Sequence, residues 1–229
     1  ANGKESWATP LGSILNNGWG NGPRSTPAVD GNRVYALSGR GELVCADIQT
    51  GKKIWQASMV DFGGRVPSWG YTESVLVDGD RILCTPGGND GAILALDKNS
   101  GKKIWQSSDF TDGAQYSSII VVEHAGQRQY IQLTMKNVAG VAAETGKLLW
   151  KQRLGGNFSS SPIAAGGNVY LQNEGGETTV IRPGPTYREL ARSGLPAEES
   201  EAFRASLMPL SGKLYARSDR YLYCIGGSP

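Results

Sequence analysis

The stretch that decides the fold is Gly51-Lys52-Lys53-Ile54-Trp55-Gln56, because it returns twice further along the chain. The two copies are Gly101-Lys102-Lys103-Ile104-Trp105-Gln106 and Gly146-Lys147-Leu148-Leu149-Trp150-Lys151. An earlier tryptophan, Trp7, precedes Trp55 by 48 residues, and the next two intervals between the aligned tryptophans are 50 and 45 residues. A period of this length is typical of β-propeller blades. The sequence therefore predicts a repeat array.

The same period accounts for the whole chain. A weaker copy, Tyr187-Arg188-Glu189-Leu190-Ala191, has leucine where the others have tryptophan. The interval from Leu190 through the C-terminus to Trp7 is again about one period. The 229 residues thus hold five repeats, and both chain ends fall inside the same repeat.

Each repeat contains four short segments in which apolar and polar residues alternate, separated by turn residues. In the first repeat the turns are Asp30-Gly31-Asn32, Gly39-Arg40-Gly41 and Gln49-Thr50-Gly51. The strands predicted around them run from Ser25 to Val29, Arg33 to Leu37, Glu42 to Ala46 and Lys52 to Ala57, and later repeats give strands such as Arg81 to Cys84, Ser160 to Ala164 and Lys213 to Arg217. This pattern predicts an all-β fold, a single five-bladed β-propeller domain of four-stranded antiparallel blades over residues 1–229. The blades are expected at about 24–57, 71–107, 116–152, 158–191 and 203–225. An N-terminal strand at 4–9 is expected to close the last blade and cover its edge.

The phrase from Ala46 to Trp55, Ala-Asp-Ile-Gln-Thr-Gly-Lys-Lys-Ile-Trp, resembles the tryptophan-docking motif of the PQQ-like (quinoprotein-type) β-propeller repeat family. Segments such as Gly22-Pro23-Arg24-Ser25-Thr26-Pro27 most resemble the bacterial BamB-like members of that family. The resemblance implies a WD-like repeat whose tryptophan rings pack between neighbouring blades. These structural docking residues are Trp7, Trp55, Trp105 and Trp150. The resemblance also implies a bacterial cell-envelope protein that is periplasmic or secreted.

Quinoprotein alcohol dehydrogenases share this repeat, and the resemblance to them would imply PQQ with calcium, held over a pair of adjacent cysteines. The three cysteines here, Cys45, Cys84 and Cys224, are far apart, and alignment of the repeats places them in columns of small residues. They are therefore predicted to be buried packing residues. No spacing resembles a calcium loop. No catalytic residue, metal or cofactor is expected, and a PQQ-dependent oxidoreductase or a degenerate remnant of one is the alternative.

One column of hydroxyl groups runs through the first strands of the repeats, at Thr26, Ser74, Ser118, Ser161 and Ser206. These groups are expected to bond the backbone of the neighbouring blade, or else to line a polar channel that binds a small ligand. Propellers commonly bind ligands at the mouth of the channel, where more varied residues precede this column. The predicted ligand-binding residues are Arg24, Trp69, Glu73, Tyr116 and Arg204, with Trp19 and Phe158 around them. If they bind a ligand, Arg24 and Arg204 suit an anionic group. The alternative is that all of these residues are ordinary loop residues without a binding role.

The charge balance narrows the choice of partner. The chain has 23 basic and 21 acidic residues, with the lysines spread over the Gly-Lys-Lys turns, so nucleic-acid binding is not indicated. No apolar run approaches the roughly 18 residues of a transmembrane helix, and no signal peptide is expected in this chain. The sequence predicts a monomeric, non-catalytic binding or scaffolding propeller for a protein or a small polar or glycan ligand. A carbohydrate-binding propeller, with Trp19, Trp69 and Tyr116 stacking on sugar rings, is the further alternative.

Overall fold

The computed structural model describes residues 3–135, 137–196, 198 and 200–226. Within this part of the chain the strands form five antiparallel sheets, four with four strands and one with three. The chain divides into two compact units, Ala1–Ala114 with two of the sheets and Gln115–Pro229 with three. The all-β prediction is confirmed, and repeated sheets of this kind are β-propeller-like. The five-blade count and the single domain over residues 1–229 stay predictions.

The first unit contains two sheets in which each strand pairs with the next along the chain. Sheet 1 consists of β1 (Ala28–Asp30), β2 (Arg33–Leu37), β3 (Glu42–Asp47) and β4 (Lys53–Ser58). Sheet 2 consists of β5 (Leu76–Asp78), β6 (Arg81–Cys84), β7 (Leu94–Asp97) and β8 (Lys103–Gln106). A short 3-10 helix that the sequence pattern does not predict, Met59–Phe62, follows β4.

The second unit contains three sheets of the same up-and-down order. Sheet 3 consists of β9 (Ile120–His124), β10 (Gln127–Leu133), β11 (Asn137–Ala142) and β12 (Leu148–Arg153). Sheet 4 consists of β13 (Ile163–Ala165), β14 (Asn168–Gln172), β15 (Glu177–Arg182) and β16 (Arg188–Gly194). Sheet 5 consists of β17 (Met208–Leu210), β18 (Lys213–Arg217) and β19 (Leu222–Ile225).

The outer strand of each four-stranded sheet carries the repeated phrase, and the pairing there shifts register at the same place. In sheet 1 the shift lies between Cys45 and Ala46, so that Trp55 pairs with Cys45. The same shift recurs between Ala95 and Leu96 and in sheets 3 and 4. A bulge of this kind re-aims the side chains that follow it. In sheet 4 the residue opposite Val180 is Ala191, so the structure places Ala191, and not the predicted Leu190, at the position of the tryptophan.

The inner strands begin later than the alternating pattern predicts. In sheet 1 the predicted start is Ser25, but pairing begins at Ala28. The Ser25 hydroxyl donates instead to the Leu37 carbonyl oxygen (2.7 Å), and the Ser160 hydroxyl does the same to Gln172 (2.8 Å). A side-chain hydrogen bond therefore replaces the backbone ladder at this end of the strand.

Sheet 5 differs from the other sheets because it has three strands among the described residues. Residues 4–9, the predicted fourth strand, have no strand assignment. Cys224 on β19 is exposed, which corrects the prediction that all three cysteines are buried. In sheet 1 the equivalent Cys45 pairs with an outer strand and lies opposite its tryptophan, whereas no strand of the described ranges pairs with the outer side of β19. Closure of the last sheet by 4–9 stays a prediction.

Each unit has its own apolar core between its sheets. The core of the first unit includes Tyr35, Leu43, Met59, Tyr71 and Leu94. The second unit has one cluster around Ile131, Trp150 and Leu171, and a smaller one around Phe203. None of the helices in the described ranges is long and apolar enough to span a membrane.

Candidate functional site

Two tryptophans of the first unit form hydrogen bonds with equivalent loops. Trp7 bonds the loop between β3 and β4 in sheet 1, and Trp55 bonds the loop between β7 and β8 in sheet 2. The Trp7 indole N–H donates to the Ile48 carbonyl oxygen (3.0 Å), and that of Trp55 donates to Lys98 (2.9 Å). A Cβ atom on Gly101 would lie 2.7 Å from Trp55 Cε3, and the Gly101 φ of 69° already favours glycine. The Thr-Gly or Ser-Gly turn of the repeated phrase is therefore needed for close approach of the indole.

Lys98 joins sheet 1 to sheet 2 through both its backbone and its side chain. Its carbonyl oxygen accepts hydrogen bonds from Arg33 Nη1 (3.0 Å) and the Tyr35 hydroxyl (3.3 Å), besides the Trp55 indole. Its ammonium group lies 2.9 Å from Asp30 Oδ2. Several polar groups of the first unit are thus used to hold its two sheets together, which leaves them unavailable to a ligand.

Trp150 occupies the corresponding position in the second unit. Its indole N–H donates to the Gly184 carbonyl oxygen (2.9 Å), which also accepts from Gln129 Nε2 (3.2 Å). The Tyr187 ring contacts the indole edge to face, with centroids 5.7 Å apart. Trp105, the fourth predicted docking residue, is buried on β8. The tryptophans of the repeated phrase thus belong to the packing of the sheets.

Three of the five hydroxyl groups in the column of the inner strands accept hydrogen bonds from neighbouring backbone, as the structural interpretation of the column predicts. In the first unit Thr26 N–H donates to Ser74 Oγ (2.9 Å). In the second unit Ser118 N–H donates to Ser161 Oγ (2.8 Å), and Ser161 N–H donates to Ser206 Oγ (2.9 Å). These backbone N–H groups lie before the inner strands begin, where no pairing among the described strands provides a carbonyl acceptor. The serine hydroxyl oxygens accept their hydrogen bonds instead.

Arg24 and Trp69 are brought together in the first unit. Arg24 Nη1 donates to the Trp69 carbonyl oxygen (2.6 Å), while Nη2 donates to Asn17 Oδ1 (2.9 Å) and to the Gly20 carbonyl oxygen (2.9 Å). The guanidinium thus connects the segment before β1 to the segment before β5. Trp19 projects from the first of these segments and is 74% exposed. This cluster of side chains is the candidate binding surface of the first unit.

Glu73 lies inside the protein, in contrast to the prediction that it is at the channel mouth. It is 2% exposed, and its carboxylate accepts hydrogen bonds from the Thr85 backbone N–H and, at 2.8 Å, from the Thr85 hydroxyl. Burial raises the pKa of Glu73 to about 7, although both hydrogen bonds favour the charged form. Glu73 occupies the position of Ser25 and, like it, completes the pairing of a short inner strand.

The remaining predicted mouth residues, Tyr116 and Arg204, belong to the second unit. Tyr116 is half-buried just before the hydroxyl column of sheet 3, and Arg204 is exposed just before β17. Phe158 is buried in the core of the same unit. Among these residues, Arg204 offers a charged group at the surface.

The sequence analysis missed Asn17, which organises the segment that carries Trp19. Asn17 Oδ1 accepts hydrogen bonds from the Trp19 backbone N–H (3.0 Å) and from Arg24, and its Nδ2 donates to the Ser68 carbonyl oxygen (3.3 Å). The run Asn16-Asn17-Gly18-Trp19-Gly20 has the composition of a tight turn, and this was the available signal.

The described side chains do not fit a calcium-bound quinone over a cysteine pair. Within the described ranges, no three His, Cys, Asp or Glu side chains form a group that could hold a metal ion. Cys45 and Cys84 are buried on different sheets, and Cys224 is exposed on a third. Burial raises the pKa of both buried thiols, which disfavours their reactive thiolate form.

The antiparallel sheets repeat, and the indole N–H of Trp7 or Trp55 donates to a loop of the sheet that comes next in the sequence. This arrangement defines a β-propeller-like repeat protein. The sequence model of the family described as outer membrane protein assembly factor BamB matches residues 1–144 and 89–183. These matches cover most of the chain, and the chain belongs to this family of PQQ-like repeat proteins. No curated protein sequence matches the chain.

Many solved structures are similar to this chain, and they include a BamB protein and an alcohol dehydrogenase. BamB from Moraxella catarrhalis is 19% identical over 87% of this chain and 70% of that chain, with a TM-score of 0.48. The quinohemoprotein alcohol dehydrogenase ADHIIG from Pseudomonas putida HK5 is 14% identical, with a TM-score of 0.60. That match covers 88% of this chain, which spans 40% of the length of the dehydrogenase. At this identity the dehydrogenase shares the fold alone.

Proposed function

We propose that this protein is a non-catalytic binding or scaffolding module that holds a protein partner at the mouth formed by the segments before the inner strands. The observation that carries the proposal is the first-unit cluster in which Arg24 fixes a loop bearing the exposed Trp19. Large exposed aromatic side chains on ordered segments are typical of binding surfaces. Family membership supports a scaffold, since the family is described as an outer membrane protein assembly factor.

The same proposal includes the form and the place of the protein. We infer one five-bladed domain that acts as a monomer, with Trp7, Trp55, Trp105 and Trp150 docking each blade on the next. The equivalent indole bonds of Trp7 and Trp55 support this arrangement in the first unit. The family description supports a bacterial cell-envelope location, in the periplasm or outside the cell.

Site-specific photo-crosslinking tests the location of the partner site. A photoreactive phenylalanine analogue replaces Trp19, Tyr116 or Arg204 in the mouth segments, and the protein is expressed in a Gram-negative host. Matched controls carry the same analogue at Ile54 or Ile104, which are exposed on outer strands. We expect discrete crosslinked adducts from the mouth positions and none from the outer strands.

Adducts that form at the outer-strand positions and not at the mouth would overturn this location.

Light scattering of the purified protein measures its molar mass and so tests whether it is a monomer. The quinoprotein alternative has its own test, a calorimetric titration of the full chain with PQQ and calcium. Saturable binding of one quinone per chain would contradict the non-catalytic proposal.

A further inference from the structure

The segment that carries Trp19 is a closed loop with its own hydrogen bonds. The Gly22 N–H donates to the Leu15 carbonyl oxygen (2.9 Å) and closes the loop at its base. The Gly20 N–H donates to the Asn17 carbonyl oxygen (3.2 Å) and forms a turn with Trp19 near its tip. Leu15 is buried and anchors the base. Residues 15–22, called here the Trp19 loop, therefore hold one shape without a regular strand.

This ordered loop presents apolar side chains to solvent. Trp19 is 74% exposed, and Ile14, directly before the loop, is 65% exposed. Burial of a side chain as large as tryptophan is among the larger favourable contributions available to a protein. A loop that is held by its own hydrogen bonds while its tryptophan lies outside has the features of a contact surface, because pre-organisation lowers the cost of binding.

The charges beside the Trp19 loop are positive and are held by neutral oxygens. Arg24 bonds two carbonyl oxygens and one amide oxygen, and Arg40 Nε donates to the Ile14 carbonyl oxygen (3.2 Å). Within the described ranges neither guanidinium forms an ion pair with a carboxylate. The Glu42 carboxylate lies against Gly12, where it accepts a hydrogen bond from the Ser38 hydroxyl and keeps its negative charge. Two guanidinium groups and one carboxylate therefore leave this surface with an excess of positive charge.

We propose that the Trp19 loop is a docking surface for an acidic peptide segment with apolar side chains, contacting Trp19 and Ile14 and attracted by Arg24 and Arg40. This inference rests on the proposed function and names the chemistry of its partner. A sugar fits less well, because the Asn17 amide already donates to the Ser68 carbonyl oxygen and the Arg24 guanidinium already donates to Asn17. A peptide needs apolar contact and opposite charge, both of which the loop provides.

Fluorescence anisotropy with the full chain tests the proposal. The probe is a labelled peptide that alternates glutamate with leucine, and the matched peptide has lysine in place of glutamate. We expect saturable binding of the acidic peptide that weakens as salt is raised, and no binding of the basic one. Trp19→Ala should weaken binding by roughly 10-fold or more, and Arg40→Gln should reduce its salt dependence. Tyr221→Ala, at an exposed position in the turn before β19, should leave binding unchanged.

The outcomes separate this inference from the proposed function. Equal binding by the wild type and the Trp19→Ala variant, or by the acidic and basic peptides, would overturn the docking surface. If binding is lost instead on Arg204→Gln, the inference fails while binding at the mouth stands. Glycan-array binding that depends on Trp19, without peptide binding, would overturn the acidic-peptide chemistry. If no probe binds and no mouth position gives an adduct in the crosslinking experiment, both proposals fail.

Discussion

Sheet 1 and sheet 5 repeat the same strand pairing but differ in what they bury. Tyr35 pairs with Cys45 in sheet 1, and Tyr215 pairs with Cys224 in sheet 5. Cys45 is fully buried, because β4 pairs with its strand and Trp55 lies opposite it. Cys224 is exposed, and its strand β19 forms the edge of sheet 5 among the described residues.

The comparison teaches that the outer strand and its tryptophan, and not the identity of the residue beneath, decide burial in this fold. Sheet 2 agrees with sheet 1, because Trp105 lies opposite the buried Ala95. The exposed residues of sheet 5 follow the same logic, since Leu222 on β19 is 70% exposed. Loss of an outer-strand tryptophan should therefore make sheet 1 resemble sheet 5.

The largest contrast is expected in thiol reactivity. In the native protein Cys224 should react with a maleimide at once. Cys45 and Cys84 should react more than about 1000-fold more slowly, because their exposure requires unfolding. Mass spectrometry after timed labelling measures the three rates. A protected Cys224 would break the comparison and favour the predicted closure of sheet 5 by residues 4–9.

The next largest effect is expected for Trp55→Ala. This change removes a buried ring and its hydrogen bond to Lys98, and should lower the free energy of unfolding by about 3–5 kcal/mol. The control Leu222→Ala, on the open edge of sheet 5, should cost less than about 1 kcal/mol. Urea unfolding followed by circular dichroism compares the two. Equal losses would show that β4 and its tryptophan do not distinguish sheet 1 from sheet 5.

A smaller effect is expected for Gly101→Ala. The new Cβ atom would meet Trp55 Cε3 at 2.7 Å in a backbone with φ of 69°, so we expect a loss of about 2–3 kcal/mol. Gly212→Ala, in the β17–β18 turn with φ of 76°, meets no atom within 4 Å and should cost only about 1–2 kcal/mol. The difference, measured by thermal unfolding, isolates the contact with the indole. No difference would mean that the ring moves away without cost.

The smallest effect concerns pH and contrasts Glu73 with Ala205, its equivalent before β17. Burial raises the Glu73 pKa above its usual value of about 4.3 to about 7, so the folded state holds a proton that the unfolded state releases. Stability from this group is complete at low pH and is lost as pH rises from about 4 to about 7.

Glu73→Gln should therefore flatten the pH dependence of the unfolding free energy over this interval, by about 1 kcal/mol per pH unit. Gln keeps the shape and the acceptor for Thr85 without the charge. Urea unfolding at a series of pH values in both proteins gives the difference, and other titrating groups cancel. Parallel pH profiles for the two proteins would contradict the burial of an ionisable Glu73.

Much of the strand order was predictable because turn residues and alternation are local signals. The bounds of β2, β6 and β18 match the prediction residue for residue. The inner strands were predicted too early, since Ser25 and Ser160 bond by their side chains where pairing was expected. The candidate site was predicted less well. Arg24 and Trp69 meet as neighbours, but Glu73 faces inward and Asn17 was missed.

The repeat period, the all-β class, the family and the turns that need glycine follow from the amino-acid sequence. Those features depend on residues close in sequence, whose backbone preferences act without the rest of the molecule. The exposure of Cys224 and not of the equivalent Cys45, the burial of Glu73 and the bonding of Arg24 to the Trp19 loop became apparent from the folded chain. The physical reason is that burial and hydrogen-bond partners come from strands and loops distant in sequence, and no local pattern encodes which of them are present.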